Sequence, residues 1–172
     1  MDQTHPQYKL AILASSIREH PRVGCSTGHW SKVSRDLGAE VVGIDINLEA
    51  ITQAKSMWSG IEFECISVEN FLKKDSRIFD LVILTHLLEH LDDPKSILKI
   101  LRGRATKLIV EVPDIESNAL NFARLVMGLP YYTDEDHVRE YSIQSLTNLL
   151  GETQWSVLSV IQLGGTVSVI AS

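Results

Sequence analysis

The sequence predicts an α/β fold: a mostly parallel, seven-stranded sheet with helices on both faces, ending in a C-terminal antiparallel hairpin. Strand-like and helix-like segments alternate along the chain, which is typical of parallel sheets with crossover helices. The segment Phe79–Thr85 has the continuous apolar character of a central parallel strand. Leu163-Gly-Gly165 joins two apolar segments as a tight hairpin, so the last two strands must be antiparallel.

The first half of the chain divides at its glycines and capping residues. Residues 7–20 are predicted to be a helix, and we consider it a possible lid. In the next predicted helix, Trp30, Val33 and Leu37 share one face, and we expect Trp30 to face the core. The predicted strands here are 22–25, 40–45, 61–66 and 79–85. The predicted helices are 7–20, 29–37, one that begins after the cap Asn47 and stops at Gly60, and a short one near 69–74.

The second half follows the same logic. Asp93 and Pro94 supply an N-cap and a first-turn proline for a helix that runs to Gly103. Ser142 caps a later helix that runs to Gly151. The remaining predicted elements are a strand at 107–112, a helix around 115–127, a loop over 129–141 and strands at 155–162 and 166–171.

Composition limits the class of protein. The 172 residues, 44% hydrophobic and 22% charged, suit one globular domain with a full-sized core, spanning 1–172. The net charge of −6 argues against a nucleic-acid-binding surface. No apolar run approaches the ~20 residues of a membrane span, and the N-terminus lacks the basic and apolar regions of a signal peptide. We therefore expect a cytoplasmic protein without membrane association, and the oligomeric state stays open.

The two cysteines are predicted to be reduced core residues. Cys25 and Cys65 are predicted on strands one and three, which flank strand two. Two strand spacings separate them by roughly 9–10 Å, which is too far for a disulfide. They also lack the Cys-x-x-Cys spacing of a metal site.

One glycine-rich turn and one carboxylate carry the strongest functional signal. The run Arg22-Val-Gly-Cys-Ser-Thr-Gly28 reads as a short strand and a turn before a helix, and Asp45 ends the next strand. Gly24 and Gly28 allow a tight turn and close approach of backbone to a ligand, and the helix directs free amides at that ligand. A carboxylate about 20 residues after the first glycine is placed to bind ribose hydroxyls. The ligand implied is a nucleoside.

The third glycine of the dinucleotide fingerprint is absent. The run Val-Gly-Cys-Ser-Thr-Gly28 resembles instead motif I of the class I S-adenosylmethionine (SAM) methyltransferases, with Arg22 in place of the usual acid and Ser26 in place of the middle glycine. Alternating βα units that close in an antiparallel hairpin are also this family's three-layer, Rossmann-like methyltransferase architecture. The resemblance implies SAM as cofactor. The cofactor-binding residues it implies are Gly24, Cys25, Ser26, Gly28, Asp45, Ile46, Ser67, Val68 and Thr85.

Ser67 and Val68 follow strand three, at the turn where the resembled family contacts adenine. A hydroxyl acceptor and a backbone donor suit an adenine edge. An ordinary strand-to-helix cap is the alternative reading of Ser67.

The run His86-Leu-Leu-Glu-His90 matches a zinc-peptidase pattern. It follows a buried strand directly, and Asp92-Asp93-Pro94 ends any helix within about a turn, so we expect no zinc here and no metal site. The run also resembles the segment after strand four of many methyltransferases. Thr85 and His86 are then expected beside the cofactor, while Glu89 and His90 organise the loop.

The predicted acceptor loop is 129–141, after strand five, where open α/β sheets build their crevice. His137 and the Ser142-capped helix resemble a segment of quinone and sugar methyltransferases. His137 is the expected general base or orienting group, with His86 as the next candidate catalytic residue. The resemblance implies methyl transfer to a small-molecule acceptor, such as a sugar or metabolite hydroxyl. The alternative, which Arg22, Ser26 and Ser67 keep open, is a catalytically idle domain that binds SAM or a partner.

Overall fold

The computed structural model of the protein describes residues 9–14, 25–117, 119–129 and 136–172. Its strands are β1 (Lys9–Ala14), β2 (Glu40–Asp45), β3 (Glu62–Cys65), β4 (Phe79–Thr85), β5 (Ala105–Pro113), β6 (Val157–Leu163) and β7 (Thr166–Ala171). Its α-helices are α1 (His29–Asp36), α2 (Leu48–Met57), α3 (Val68–Lys74), α4 (Pro94–Arg102), α5 (Ala119–Val126) and α6 (Ile143–Glu152), and a short 3-10 helix covers Ile115–Ser117.

The strands form a mixed sheet. A parallel pair, β2 and β3, lies on one side, and a group in the order β4-β5-β7-β6 lies on the other. β1 lies between them and pairs in parallel with β2 and β4, so the full order is β3-β2-β1-β4-β5-β7-β6. β7 pairs antiparallel with both β5 and β6. The predicted C-terminal hairpin is therefore confirmed.

The position predicted for strand one is wrong. Lys9–Ala14 is a strand and not part of a helix over 7–20, and it is this segment that lies beside β2. Cys25 lies in the turn before α1, and residues 22–24 are outside the described residues. A short apolar run fits both helical and strand periods. The choice is made by pairing on both edges, which Lys9–Ala14 achieves with five residue pairs to each neighbour.

Capping residues set the helix boundaries, as predicted. The Asn47 side chain accepts hydrogen bonds from the amides of Glu49 and Ala50. Asp93 caps α4 ahead of Pro94, and Ser142 caps α6. These side chains satisfy amides that have no partner inside the helix. The helix predicted around 115–127 is divided into the 3-10 turn and α5.

The apolar side chains form two clusters that belong to opposite faces of the sheet. Alternate strand residues point to opposite faces, and Val42 of β2 joins the larger cluster while its neighbour Val41 joins the smaller one. The larger cluster includes buried side chains of α3, α4 and α6, and the smaller one those of α2. Helices thus cover both faces of the sheet.

The face assigned to α1 is wrong. Trp30 is 43% exposed and Leu37 is 82% exposed, whereas Ser31 is fully buried. A serine has a small side chain, so its burial lets α1 approach the layer beneath closely. The aromatic side chain of Trp30 is left at the surface.

The two cysteines are free thiols, as predicted. Cys25 is fully buried, and burial is the main reason that its pKa rises to about 12. Cys65 ends β3 and is exposed, so the expectation that it is a core residue is wrong. In the part of the chain that the structure describes, the helices are too short or too polar to span a bilayer.

Candidate cofactor and acceptor site

The carboxyl ends of the parallel strands meet along one level of the sheet. Asp45 pairs with Cys65, Ala14 with Thr85, and Thr85 with Glu111. Glu111 in turn pairs with Ser168 of β7. In open α/β sheets, ligands bind beyond this edge of the strands. Candidate residues far apart in the sequence are therefore brought to one edge.

A tight turn over residues 25–28 precedes α1 at this edge. The amide of Gly28 donates to the carbonyl of Cys25, and Ser26 and Gly28 both have positive φ, at 29° and 78°. A Cβ on Gly28 would lie 2.6 Å from Cζ of Phe63, so this position requires glycine both for its backbone and for its packing. Gly24 lies outside the described residues.

Asp45 is the residue that holds this turn. Its Oδ2 accepts a hydrogen bond from the amide of Ser26 at 3.2 Å, and its Oδ1 accepts one from the amide of Asn47 at 2.8 Å. The residue is only 2% exposed. Burial raises the pKa of Asp45 to about 6, although hydrogen bonds from the amides of Asn47, Ser26 and Ile46 oppose the rise. Asp45, which is predicted to bind the ribose hydroxyls, thus also holds the two motif segments together.

Two further residues support the turn and were not predicted from the sequence. Nε1 of Trp58 donates to the carbonyl of Thr27 at 2.7 Å. A Cβ on Gly43 of β2 would lie 2.6 Å from Sγ of Cys25. A glycine inside a strand often marks close approach of another segment, so the sequence does indicate a close contact at Gly43. No sequence pattern indicates the hydrogen bond of Trp58.

Three more predicted cofactor-binding residues lie near Asp45: Ile46, and Ser67 and Val68, which are the two expected at adenine. Ile46 is 54% exposed and directly follows β2. Ser67 is the N-cap of α3, and its hydroxyl accepts from the amide of Asn70 at 3.3 Å. Val68 is the first residue of α3, so its amide has no partner within the helix. The hydroxyl of Ser67 is engaged as a cap, and the amide of Val68 points along the helix start.

Thr85 and His86 end β4 at the centre of the same edge. Oγ1 of Thr85 is buried and has no hydrogen-bond partner among the described residues. His86 has a positive φ of 48°. Its Nδ1 lies 3.3 Å from Oε1 of Glu89, and its Nε2 lies 3.5 Å from Oε1 of Glu111. Burial would lower the pKa of His86, but the carboxylates of Glu111 and Glu89 outweigh it and raise the pKa to about 9.

The run from His86 to His90 is not a helix. Residues 88–90 form a turn between β4 and α4, which begins at Pro94. The zinc-peptidase pattern needs two histidines on one helical face, so this geometry does not provide that motif.

The segment 136–141 is fastened to this turn by hydrogen bonds that the sequence did not indicate. The guanidinium of Arg139 donates to the carbonyls of Leu88, Leu91 and Asp92. The amide of Val138 donates to the carbonyl of Glu89 at 3.0 Å. The rest of the predicted acceptor loop, residues 130–135, lies outside the described residues. Arg139 thus links the C-terminal end of this loop to the segment between β4 and α4.

His137 is brought to the same place but not to an exposed position. Its side chain is 4% exposed, and its Nδ1 lies 2.9 Å from Oε1 of Glu140. Its ring packs edge-on against that of His90, with the ring centroids 4.8 Å apart. Half-buried His90 and the buried residues Glu89 and His137 therefore form one group next to the turn that follows His86.

Comparisons with known proteins match most of the chain to one family. The sequence profile of a family described as "Methyltransferase domain" matches residues 23–160, which is well over half of the chain. Curated relatives include the ubiquinone biosynthesis O-methyltransferase of Idiomarina loihiensis, 35% identical over 81 residues, which cover 45% of this chain and 33% of the relative. The protein of that name from Glaesserella parasuis is 29% identical over 118 residues, covering 63% of this chain and 50% of the relative. The chain thus spans a third to a half of these relatives' lengths.

Solved structures show the same fold at low sequence identity. A SAM-dependent methyltransferase from Archaeoglobus fulgidus superposes with a TM-score of 0.69 at 14% identity, covering 96% of this chain and 86% of that one. The magnesium protoporphyrin IX methyltransferase of Synechocystis, solved with bound S-adenosylhomocysteine (SAH), gives 0.67 at 16% identity, with 96% and 74% covered. The Rossmann-like methyltransferase fold is therefore confirmed. The profile match over most of its length shows that the chain belongs to the methyltransferase-domain family.

Proposed function

We propose that this protein transfers the methyl group of SAM to a hydroxyl of a small-molecule acceptor at the carboxyl edge of the sheet. One observation carries the location of the cofactor: the carboxylate of Asp45 is hydrogen-bonded to the amide of Ser26 in the glycine turn. This joins the two motif segments, from separate parts of the chain, into one site. The site would lie at the edge of the seven-stranded sheet in which β1 (Lys9–Ala14) is the strand between β2 and β4.

The residues at this edge fit the parts of SAM. The absence of a side chain at Gly28 keeps the backbone of the turn close to Phe63, and the turn offers amides to the methionine end of the cofactor. Asp45 suits the ribose hydroxyls, since a carboxylate accepts more than one hydrogen bond per oxygen. Exposed Ile46 offers an apolar surface to adenine. The full proposed set is Gly24, Cys25, Ser26, Gly28, Asp45, Ile46, Ser67, Val68 and Thr85.

The sulfonium of SAM supplies an already activated methyl group. The protein must therefore mainly align donor and acceptor, within about 3–3.5 Å. A base is needed only where the acceptor must lose a proton, as a hydroxyl does. The names of the relatives as O-methyltransferases support oxygen as the acceptor atom, and we propose a phenol, sugar or other metabolite hydroxyl.

His86 is the better placed of the two candidate histidines. It directly follows Thr85, at the level of Asp45 and Glu111 on the ligand side of the sheet. His137 is buried, and it contacts His90 and Glu140. We therefore propose that His86 contacts the acceptor hydroxyl and that His137 acts by holding the acceptor loop.

A catalytically idle SAM-binding domain is the second candidate. It is favoured by the near-complete burial of Asp45, whose two oxygens both already accept backbone amides. The Ser67 hydroxyl already accepts a hydrogen bond as a helix cap, which also favours the idle domain.

Two measurements separate these candidates. Calorimetry with SAM, SAH and NAD tests the cofactor site, and tighter binding of NAD than of both SAM species would overturn the assignment. Transfer of labelled methyl from SAM to a panel of phenols, sugars and aliphatic alcohols tests the reaction. Binding of SAH with no transfer to any class of hydroxyl would favour the idle domain.

A further inference from the structure

Three side chains with metal-binding atoms come together behind the acceptor edge. Glu89 and His90 belong to the turn after β4, and His137 belongs to the segment that is fastened to that turn. One ligand atom from each residue lies within 4.8 Å of the others. The three residues thus come from two separate parts of the chain and face one point.

The carboxylate of Glu89 is the first reason to expect a cation there. Glu89 is fully buried, and neither of its oxygens makes a hydrogen bond with the described residues. His86 Nδ1 lies 3.3 Å from Oε1, so one oxygen has a nearby cationic group but the other does not. A buried carboxylate with one oxygen left without a partner is costly, because desolvation disfavours its charge. A bound cation would compensate that cost directly.

The orientation of both histidines is the second reason. Nδ1 of His90 lies 3.2 Å from the carbonyl oxygen of Asp136, and a carbonyl can only accept, so the proton is on Nδ1. Nε2 of His90 then carries a lone pair, and it is buried without a hydrogen-bond partner among the described residues. Nδ1 of His137 faces Oε1 of Glu140 at 2.9 Å. Metal-binding histidines characteristically have their second nitrogen held by a carbonyl or a carboxylate in this way.

We propose that Glu89, Nε2 of His90 and Nε2 of His137 bind one divalent transition-metal ion, with zinc preferred. Two imidazoles and one carboxylate suit zinc and its first-row neighbours, whereas magnesium and calcium prefer oxygen ligands. Metal–ligand bonds of about 2.0–2.2 Å place ligand atoms roughly 3–4 Å apart. The observed separations of up to 4.8 Å therefore need only small side-chain rotations.

The ligands of this site differ from those of the zinc-peptidase pattern at His86–His90. His137 is a ligand here, and His86 is not. The site also differs from the expectation that the protein has no metal site. The ion would join the turn after β4 to residues 136–141, next to the hydrogen bonds of Arg139 and Val138. We infer that it secures the acceptor loop. The inference does not depend on methyl transfer, because binding of the ion can be measured without any acceptor.

Metal titration of the whole protein tests the site. Protein purified without an affinity tag is dialysed against a chelator, checked for folding by near-ultraviolet circular dichroism, and titrated with cobalt(II), whose visible spectrum reports coordination, and then with zinc in competition. One equivalent is expected to bind. X-ray absorption of the cobalt form is expected to count two imidazole ligands.

Variants assign the ligands. His137→Ala and Glu89→Gln should each weaken zinc affinity at least about a hundredfold, and Glu140→Ala, which removes the acceptor for His137, should weaken it by about 10- to 100-fold. His29→Ala is the control, because His29 is an exposed histidine on α1, and zinc affinity should be unchanged.

The proposal is overturned if folded wild-type protein binds less than one equivalent of both metals. It is also overturned if His137→Ala retains wild-type affinity, or if the cobalt form has fewer than two imidazole ligands. The last measurement uses the wild-type protein, so it decides the matter even where a variant fails to fold.

Discussion

The Asp45 carboxylate accepts a hydrogen bond from the backbone amide of Ser26, 19 positions earlier in the chain, at a distance of 3.2 Å. The same residue accepts from the amide of Asn47. One side chain therefore fixes both the glycine turn and the start of the loop after β2. Its contributions to cofactor binding and to folding can be separated by substitution and by pH.

Asp45→Ala should weaken binding of SAH by roughly 1.5–3 kcal/mol, because it removes a charged hydrogen-bond partner of the ribose hydroxyls. Calorimetry with SAH measures the change. Asp36→Ala is a matched control, since Asp36 is an exposed carboxylate at the end of α1 that pairs with Lys32, and it should leave the dissociation constant unchanged. An unchanged constant for Asp45→Ala would place the cofactor elsewhere.

The pH dependence of stability should carry the signature of Asp45. Burial raises its folded-state pKa from 3.8 to about 6, so the folded protein binds the proton more tightly than the unfolded chain. The resulting stabilisation is fully present below pH 3.8 and is lost as the pH rises through about 6. The loss is on the order of 2–3 kcal/mol, at 1.36 kcal/mol per pKa unit.

Asp45→Asn tests this without cofactor, because asparagine cannot ionise. Relative to wild type, the variant should be more stable at pH 7.5 than at pH 4 by that amount, as measured by urea unfolding at both values. Loss of one amide acceptor adds an offset that does not depend on pH. A difference between variant and wild type that is the same at both pH values would contradict the raised pKa.

The sequence was sufficient where a structural feature is local. Asn47, Asp93 and Ser142 were identified as N-caps because each cap bonds amides two or three residues away. β4 was identified over its observed bounds because a continuous apolar run is enough to mark a buried parallel strand.

The sequence was not sufficient where a contact joins distant segments. Arg139 donates to carbonyls about 50 positions away, at Leu88 and Asp92, and no local pattern marks that pairing. The short apolar run at Lys9–Ala14 fits two periodicities, and only its partners in the sheet decide between them. The same holds for α1, where packing of Ser31 decides which face is buried.

Gly28→Ala should destabilise the protein by at least about 2 kcal/mol, because φ is positive and a Cβ would clash with the Phe63 ring at 2.6 Å from its Cζ. Gly151 is the control. It lies in α6 with open space around its Cβ position, so Gly151→Ala should be neutral or stabilise by up to about 1 kcal/mol. Urea unfolding measures both. Equal stability of the Gly28 variant and wild type would show that the turn is not held as described.

Above about pH 9, where His86 is neutral and can accept the proton of the acceptor hydroxyl, His86→Ala should lower turnover by about 10²- to 10⁴-fold, the usual contribution of a positioned side chain to proton transfer. Affinity for SAH should stay within about twofold, because His86 would contact the acceptor hydroxyl and not the cofactor. Initial rates with the acceptor found in the hydroxyl panel, together with calorimetry on SAH, give both quantities.

His29→Ala is the matched control for a lost imidazole, since His29 is exposed on α1, and its turnover should equal that of wild type. His137→Ala separates the two candidate histidines. His137 is buried and contacts Glu140 and His90, so its loss should loosen the acceptor loop and raise KM for the acceptor more than it lowers kcat. The reverse result, a large fall in kcat for His137→Ala with wild-type kcat for His86→Ala, would assign the proton transfer to His137 and remove His86 from the reaction.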